Sequence, residues 1–444
     1  KHRIEKIKSI IDWIYFNKEL IRKSLHEDFS KPDLETDITE IWVTIDLAKD
    51  VIKNLKNWVK PKRVPGSLSV SLASSYIEYY PKGVCLVIAP WNYPFQLCIA
   101  PLIYSIAAGN CTIIKPSEAT PHTSALVSSM IKELFNENEV SVIEGDENEA
   151  KLLLEKPFNH IFFTGNDKIG EKIAQASSKH LSSMILELGG KSPIVVDRGY
   201  NLKRVINRLI STKFVNLGQT CIAPDYIVVH NDDYDAFINS FTSAIKLAYG
   251  DDFIQQQSSD SLARVVNNAH FDRLNKIIED NANSIIYGGK VDRESRFISP
   301  TILDGDKMSS DLSCTEIFGP ILPVFKYNSE SSLNNHIDKI SDPLALYLFS
   351  NSKKFIHKIK NKTSSGALCI NDIAAQFLNH NLPFGGVMRS GSGRYHGYSG
   401  FKEFSNQRSV IHQSSVNFLS MISPPYTRKM KKMVELLLKF YKNI

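Results

Sequence analysis

The run from Gly83 to Ile114 constrains the fold more than any other stretch, because it contains no charged residue. Its length would suit a membrane-spanning helix, which needs about 20 consecutive apolar residues. However, Pro90, Pro94 and Pro101 interrupt the run, and proline breaks or kinks a helix because it lacks a backbone N–H donor. The run therefore predicts a buried strand, a loop, an apolar helix and a second strand. We place the two strands at 84–88 and 112–114.

Strands and helices alternate along the rest of the chain as well. Apolar residues recur every three or four positions through residues 1–60, which predicts helices there. The later pattern predicts helices at 122–135 and 147–155, and strands at 140–143, 161–163, 193–196 and 227–229. Such alternation indicates an α/β fold with a doubly wound, mostly parallel sheet, followed by a second α/β domain.

Composition limits the classes of partner that the chain can serve. With 444 residues, 43% of them hydrophobic and 23% charged, it is typical of a soluble protein of two or three domains. A net charge of +6 without a basic run in the body argues against a nucleic-acid partner. The six cysteines are widely spaced and form no Cys-x-x-Cys pair, so we predict neither disulfides nor a metal site. A working thiol suits a reducing compartment, and we expect a cytoplasmic location.

Two short stretches carry the candidate chemistry. Cys221 lies among Gly, Gln, Thr and Ala in the segment from Phe214 to Tyr226. Small neighbours leave its sulfur reachable, whereas Leu or Ile in their place would bury it. Taken alone, a free cysteine is most often one more small apolar residue. Shortly upstream, Glu187 lies in an apolar strand that ends at the pair Gly189-Gly190. An apolar setting raises the pKa of a carboxyl toward the range of a useful general base.

Together these stretches resemble the aldehyde dehydrogenase superfamily. The form Cys-Ile-Ala-Pro-Asp-Tyr at 221–226 and Arg-Tyr-His-Gly at 394–397 are most similar to its class 3 branch, and the resemblance covers nearly the whole chain in order. It implies that Cys221 is the nucleophile, that Glu187 activates water, and that the side-chain amide of Asn92 is an oxyanion donor beside the backbone N–H of Cys221. Two alternatives stay open: Asn92 could bond its own turn backbone, and Glu187 could pair with Lys191.

The resemblance implies oxidation of an aldehyde to the carboxylic acid through a cysteine thiohemiacetal and an acyl-thioester. The expected substrate is a medium- or long-chain aliphatic aldehyde or an aromatic one. One alternative stays inside the superfamily: an enzyme that passes the acyl group to coenzyme A and needs no base for water. Another alternative is a non-redox thiol esterase or a binding protein on the same scaffold.

The resemblance also implies a nicotinamide cofactor. The matching cofactor-binding residues are Trp91, Lys115, Glu118, Gly165, Gly170, Leu188, Glu316 and Phe318. Lys115 and Glu118 correspond to the pair that holds the adenosine ribose hydroxyls, and a carboxylate there would repel a 2′-phosphate, which favours NAD over NADP. Gly165 and Gly170 form Gly-x-x-x-x-Gly, so the generic dinucleotide fingerprint is absent. Departures from the family pattern are Asn166, Thr315 and Met388.

The resemblance divides the chain into a Rossmann-like NAD(P)-binding domain, a catalytic thiol domain and a small β oligomerisation arm. The expected boundaries are 1–67 and 81–186 for the first domain, with 387–404 returning to it as a loop, 187–386 for the second domain, and 68–80 with 405–418 for the arm. The two segments of the arm are predicted strands that pair with each other. Class 3 relatives join subunits through such strands, so we expect a homodimer in which these edges are covered.

The tail, 424–444, predicts an amphipathic helix. Apolar residues recur at three and four from Met430 to Tyr441, and lysines make much of the remaining surface basic. A length of about 20 residues could span a bilayer, but lysines are spread through it and the apolar part is only a stripe. We expect the helix to lie over the entrance used by apolar aldehydes, with its apolar stripe facing inward. A peripheral membrane contact, or packing on its own domain or on the partner subunit, stays open as an alternative.

Overall fold

The computed structural model describes residues 1–67, 70, 73–308, 315–414 and 423–442. Its α-helices are α1 (His2–Phe16), α2 (Lys18–Phe29), α3 (Asp33–Thr36), α4 (Val43–Trp58), α5 (Gln96–Ala108), α6 (Pro121–Leu134), α7 (Glu147–Leu154), α8 (Asp167–His180), α9 (Leu202–Lys213), α10 (Asn231–Tyr249), α11 (Phe253–Gln257), α12 (Asn268–Asp280), α13 (Glu330–Ile337), α14 (Lys353–Lys362), α15 (Gly397–Glu403) and α16 (Arg428–Lys442). A π-helical turn, Asp37–Trp42, joins α3 to α4.

The strands are β1 (Lys62–Val64), β2 (Ser74–Pro81), β3 (Val84–Ile88), β4 (Cys111–Lys115), β5 (Val140–Val142), β6 (His160–Gly165), β7 (Ser183–Leu188), β8 (Pro193–Val196), β9 (Tyr226–His230), β10 (Ile285–Tyr287), β11 (Val291–Asp292), β12 (Phe297–Ile298), β13 (Thr301–Asp304), β14 (Ile321–Tyr327), β15 (Ala345–Phe349), β16 (Ala367–Ile370), β17 (Gly391–Ser392) and β18 (Ser405–His412). The predicted mixed α/β fold is confirmed, with small shifts at the ends of elements.

The first sheet has the strand order β17-β7-β6-β3-β4-β5, in which all neighbours except β17 and β7 run parallel. Both of its faces are covered, as the side chains of β3 illustrate. Cys85 and Val87 belong to the core that includes α5, whereas Leu86 and Ile88 belong to a second core that includes Ile173 of α8. Because neither face of such a strand meets water, side chains on both faces are apolar, which explains the continuous apolar runs in the sequence.

The uncharged run folds as predicted, into β3, a loop, α5 and β4. Every residue of α5 is buried, so the helix presents no face on which a charge could meet water. Among the residues that the structure describes, no helix combines the length and the apolarity that crossing a membrane requires.

The second sheet has the order β10-β13-β14-β9-β8-β15-β16, and only β10 runs antiparallel to its neighbour. The predicted boundary between 186 and 187 falls inside β7, so Glu187 belongs to the first sheet and pairs in register with Gly391. The connection from β7 to β8 at Gly189-Gly190 therefore links the two sheets directly.

A third sheet, β1-β2-β18, is antiparallel. The predicted pairing of the two arm segments is confirmed over 74–81 and 405–412, and the remainder of the predicted arm at 68, 69, 71, 72 and 415–418 lies outside the described residues. The sequence analysis did not predict β1, because Lys62-Arg63-Val64 lies between Pro61 and Pro65 and is too short to show alternation.

The prediction that 387–404 is a loop is wrong. β17 adds an edge strand to the first sheet, and α15 packs against α5, where a Cβ on Gly400 would lie 2.9 Å from the ring of Tyr104. Phe401 is buried, so this short helix contributes to the core. Its glycines at 397 and 400 concealed the helix in the sequence, because glycine disfavours helix formation unless close packing requires it.

Candidate active site

The candidate site lies at one edge of the first sheet. In parallel neighbours the carboxyl ends of the strands meet at the same edge, and this is where α/β sheets bind ligands. The loop with Trp91 and Asn92 follows β3, Lys115 ends β4, Gly165 ends β6, and Leu188 ends β7. The fold thus brings to one edge residues that are widely separated in the sequence.

The loop that carries Cys221 begins with a sharp kink after α9. Asn216 and Leu217 both have left-handed backbone conformations, with φ of 54° and 52°. Gly218, with φ of 75°, follows at a position where a Cβ would collide with the carbonyl oxygen of Gly319. The kink separates the cysteine from α9, and Cys221 lies in the turn beyond it, partly exposed. The small neighbours of Cys221 therefore allow the chain to form this tight turn.

Asn92 is bonded to the cysteine loop. Its side chain is buried, and Nδ2 donates a hydrogen bond of 3.1 Å to the carbonyl oxygen of Gln219. In return, Nδ2 of Asn216 donates to the carbonyl oxygen of Asn92 at 2.8 Å. The alternative in which Asn92 bonds its own turn is wrong, because its amide reaches a segment more than a hundred residues away along the chain.

Cys221 has an unfavourable setting for a thiolate in the absence of ligands. Burial of the sulfur raises the pKa of its thiol to about 12, and the nearby carboxyls of Glu316 and Glu187 raise it further, against the lowering effect of the backbone N–H groups of Cys221 and Ile222. A thiol is therefore the resting form at neutral pH.

Glu187 is buried, and neither of its carboxyl oxygens has a hydrogen-bond partner among the described residues. Burial raises the pKa of this carboxyl well above its usual value, Arg394 opposes the shift, and Glu403 adds to it. The alternative in which Glu187 pairs with Lys191 is wrong, because Lys191 forms its ion pair with Asp225 and donates to the carbonyl oxygen of Thr315 at 3.0 Å. The carboxyl oxygens of Glu187 therefore remain available to an incoming proton donor.

Three of the predicted cofactor residues surround the ends of β6 and β7. A Cβ on Gly170 would lie 2.7 Å from Leu188, so the absence of a side chain lets the first turn of α8 approach β7 closely. Asn166 caps α8, since its side-chain oxygen accepts from the backbone N–H of Ile169 at 2.9 Å. The departure from the family at Asn166 thus preserves the cap, and the first turn of α8 follows the end of β6 at the sheet edge.

The other cofactor residues form three groups. Lys115 and Glu118 make an ion pair of 2.8 Å in which Lys115 is buried and Glu118 is half exposed. The ring of Trp91 lies 5.4 Å from that of Phe318 in an edge-to-face arrangement. Glu316 contacts Gly189, where a Cβ would collide with its carboxyl oxygen, and burial raises the pKa of this carboxyl to about 8. The site therefore has a carboxyl beside the link between the sheets and aromatic rings beside the Asn92 loop.

Several residues at the site were missed by the sequence analysis. Arg394, which acts on Glu187, donates to the carbonyl oxygens of Gly386 and Gly393. It was visible inside the Arg-Tyr-His-Gly motif but carried no assigned role. Asp225 accepts the Ile317 N–H at 2.7 Å and pairs with Lys191. It was visible inside the Cys-Ile-Ala-Pro-Asp-Tyr motif but also carried no assigned role.

Comparison with known proteins identifies the family. The aldehyde dehydrogenase family model matches residues 1–410. The 4,4'-diaponeurosporen-aldehyde dehydrogenase of Staphylococcus aureus (strain NCTC 8325 / PS 47) is 41% identical over 97% of this chain and 93% of that protein. Aldehyde dehydrogenase family 3 member H1 of Arabidopsis thaliana is 38% identical over 96% of this chain and 88% of that protein. These relatives extend over nearly the whole chain.

Solved structures of aldehyde dehydrogenases have the same fold as this chain. The substrate-bound state of Staphylococcus aureus AldH has a TM-score of 0.93 and 39% identity, covering 98% of this chain and 94% of that one. The same fold occurs in a succinic semialdehyde dehydrogenase from Streptococcus pyogenes with NADP+ (TM-score 0.83, 21% identity, 93% and 90% covered) and in a Mycobacterium tuberculosis aldehyde dehydrogenase with NAD+ (0.82, 23%, 94% and 86%). The chain belongs to the aldehyde dehydrogenase family, its relatives include family 3 members, and it is an enzyme.

Proposed function

We propose that the enzyme oxidises an aldehyde to its carboxylic acid with a nicotinamide cofactor, and that Cys221 and Glu187 perform the two halves of the reaction. The observation that carries this proposal is the buried carboxyl of Glu187, which has no hydrogen-bond partner among the described residues and lies close enough to raise the pKa of the Cys221 thiol. A nucleophile and a potential base therefore lie near each other, which is the arrangement that acylation followed by hydrolysis requires.

In the first half, the sulfur of Cys221 adds to the aldehyde carbon, the thiol proton passes to solvent, and the carbonyl oxygen becomes an oxyanion. Asn92 and the backbone N–H of Cys221 stabilise this charge. The Asn92 amide donates one N–H to Gln219 in the structure, which leaves its second N–H for the substrate oxygen. A bound nicotinamide supplies the hydride acceptor, and the acyl group stays on sulfur as a thioester.

In the second half, Glu187 removes a proton from the water that attacks the thioester carbon. The released products are the carboxylic acid and the free thiol. The raised pKa of Glu187 suits this role, since a base that is too acidic removes a proton poorly. Its lack of a competing ion pair also leaves its oxygens free for the water.

The proposed substrate is a medium- or long-chain aliphatic aldehyde or an aromatic one. Burial raises the pKa values of the Tyr347 and Tyr395 hydroxyls, and Cys221 adds to both shifts, so two aromatic side chains lie near the sulfur. Aromatic surroundings favour an apolar substrate, since they exclude water from around the acyl chain.

The residues of the sheet edge fit a dinucleotide. The buried Lys115 and the half-exposed Glu118 would hold ribose hydroxyls, the start of α8 at Gly165 and Gly170 with Leu188 would face the pyrophosphate, and Trp91, Glu316 and Phe318 would hold the nicotinamide end. We propose NAD as the preferred form because the carboxylate of Glu118 would repel a 2′-phosphate.

An acyl transfer to coenzyme A is the main competing function. Steady-state rates of nicotinamide reduction with NAD and NADP across aliphatic and aromatic aldehydes, with and without coenzyme A, separate the two. We expect reduction and acid release without coenzyme A. Rates that require coenzyme A would assign the transfer reaction, and ester cleavage without nicotinamide reduction would assign a non-redox esterase.

We propose a homodimer joined through the β1-β2-β18 sheet. β18 pairs only with β2 within the described chain, so its outer edge carries backbone groups that a second subunit can bond. Light scattering at micromolar concentration tests this assembly, and a monomer would contradict it. The cytoplasm remains the proposed compartment on account of the working thiol.

The tail helix α16 is proposed to lie on an anionic membrane surface. None of its residues is buried, and Leu436, Leu438, Phe440 and Tyr441 are each more than half exposed. At about 100° per residue, its apolar side chains span about 200° of the helix, an arc that Lys429 interrupts in the first turn. The rest of the circumference carries one acid, Glu435, among the basic residues Arg428, Lys431, Lys432, Lys439 and Lys442. Basic residues beside a wide apolar face complement an acidic lipid surface.

Sedimentation with phosphatidylglycerol vesicles tests this contact. The full chain should bind and the chain truncated after residue 426 should not, whereas neutral phosphatidylcholine vesicles should bind neither. If truncation instead alters the dependence of rate on aldehyde chain length and leaves vesicle binding unchanged, the helix covers the substrate entrance. If it changes only the stability or the dimer, the helix packs on protein.

A further inference from the structure

Residues 31–40, between α2 and α4, place three charged side chains beside the catalytic loops. Lys31 and Glu40 are completely buried and form an ion pair of 2.7 Å. A buried ion pair is a poor device for stability, since the cost of desolvating both charges can exceed their attraction. The surroundings of the pair suggest a different use.

Glu40 holds the loop that carries Asn92. Its second carboxyl oxygen accepts the backbone N–H of Gln96, the first residue of α5, at 2.8 Å, and the N–H of Phe95 bonds the same carboxyl. A carboxylate at a helix N-terminus satisfies donors that have no partner in the helix and is attracted by the helix dipole. The end of the Asn92 loop is thereby fixed.

Lys31 connects this group to the cysteine loop through an aromatic ring. Its Nζ lies 4.1 Å from the centre of the Tyr93 ring, within the range of a cation–π interaction. The Tyr93 hydroxyl forms a hydrogen bond of 2.5 Å with Oγ1 of Thr220, the residue before Cys221.

Glu35 reaches the kink of the cysteine loop itself. Its Oε2 accepts the backbone N–H of Asn216 at 2.8 Å. Asn216 is buried in a left-handed conformation, and its side-chain amide donates to the carbonyl oxygens of Asn92 at 2.8 Å and Gln219 at 3.1 Å. Gln219 in turn accepts the Asn92 amide. One carboxylate therefore anchors the residue that joins the proposed oxyanion donor to the nucleophile loop.

We infer that Glu35 is a positioning residue for the oxyanion site and that it acts through Asn216. The buried Lys31–Glu40 pair holds the adjoining Asn92 loop in place. This inference rests on the proposed function, because its effect is read in aldehyde oxidation. Without the carboxyl acceptor, the N–H of Asn216 loses its partner and the kink relaxes. The Asn216 amide then no longer holds the backbone of Asn92 against Gln219. As a result, the Asn92 amide is no longer positioned to donate to the oxyanion.

Replacement of the Glu35 acceptor tests this role. Glu35→Ala should lower kcat/KM for the aldehyde by about tenfold, the scale of one lost hydrogen bond, with the KM for NAD unchanged. Glu35→Gln keeps a carbonyl oxygen at the same reach and should stay within about twofold of the parent enzyme. Asp33→Asn is the matched control, since Asp33 is an exposed acid on the same short helix and should have no effect.

A double-mutant cycle with Asn92→Ala separates positioning from mere stabilisation. If Glu35 acts through Asn92, Glu35→Ala should cost less than about twofold in kcat/KM when Asn92 is already alanine. An equal loss in both backgrounds, or a Gln variant as impaired as the Ala variant, would overturn the inference. Should Glu35→Ala fail to fold, Glu35→Asp, which withdraws the acceptor by one methylene, replaces it in the cycle. Absence of aldehyde oxidation in the parent enzyme would instead refute the proposed function.

Discussion

Glu187 in the thiol pocket and Glu118 at the cofactor edge are the same residue type in opposite surroundings. The Glu187 side chain is buried and has no hydrogen-bond partner in the described part of the chain, whereas Glu118 is half exposed and paired with Lys115 at 2.8 Å. Beside Cys221, burial raises the carboxyl pKa, which gives the ionised form the basicity that removing a proton from water requires. At the edge, the paired carboxylate has the proposed role of recognising the cofactor ribose. Solvation, not residue type, thus decides whether a carboxyl at this site does chemistry or selects a ligand.

The largest effect should come from the pocket. Cys221→Ala should reduce aldehyde-dependent nicotinamide reduction to background, because it removes the sulfur to which the acyl group would attach. Cys111→Ala is the control: Cys111 is exposed at the start of β4 and should be dispensable. Activity of the Cys221 variant within about tenfold of the parent would place the nucleophile elsewhere.

Loss of the oxyanion donor should be the next largest effect. Asn92→Ala should cost about 3 kcal/mol of transition-state stabilisation, or about a hundredfold in kcat/KM, as expected for one donor in a dry site. The binding of NAD should change little, since the amide of Asn92 is bonded toward the cysteine loop. An unchanged kcat/KM would remove Asn92 from the oxyanion site.

The raised pKa of Glu187 predicts a dependence of stability on pH. Between the usual carboxyl pKa of 4.5 and the raised pKa of the folded state, the native protein binds a proton that the unfolded chain does not. The contribution of Glu187 to the free energy of unfolding should therefore fall as pH rises, by at most about 1.4 kcal/mol per pH unit. Urea unfolding of Glu187→Gln from pH 5 to pH 8 should show a variant that gains stability relative to the parent. A constant difference would mean that Glu187 is already ionised.

The smallest effect should come from the edge. Glu118→Gln removes the negative charge but keeps the shape, and it should raise the ratio of NADP to NAD utilisation by about threefold, the scale of an exposed charge interaction. Catalysis at saturating cofactor should be unchanged. If the ratio of NADP to NAD utilisation does not change, Glu118 points away from the 2′ position. The proposal that this carboxyl selects the cofactor would then be wrong.

The order of strands and helices was readable from the sequence because burial on both faces demands continuous apolar runs. The pairing of segments 68–80 and 405–418 was also predicted, and the structure shows it between 74–81 and 405–412. By contrast, α15 was missed because Gly400 lets this helix pack closely against Tyr104, a contact that only the fold creates. The role of Arg394 and the partner of Lys191 were likewise hidden, since both depend on neighbours distant along the chain.

The site residues were selected by resemblance to a family, and the structure adds how they are held. Asn92 and Cys221 are 129 positions apart, and no local pattern could indicate that the amide of Asn92 bonds Gln219. The anchoring of Asn216 by Glu35 spans a still longer separation. Local propensities describe neither contact, because each depends on two loops meeting at the edge of a sheet.

The central claim is that acylation of Cys221 and hydrolysis of its thioester use different groups. Stopped-flow absorbance of the reduced nicotinamide on mixing Glu187→Gln with NAD and an apolar aldehyde tests it most directly. The account predicts a rapid burst of about one equivalent per active site followed by slow turnover, because the thioester forms but lacks an activated water. Turnover at the parent rate without a burst would contradict the account and assign the base to another group.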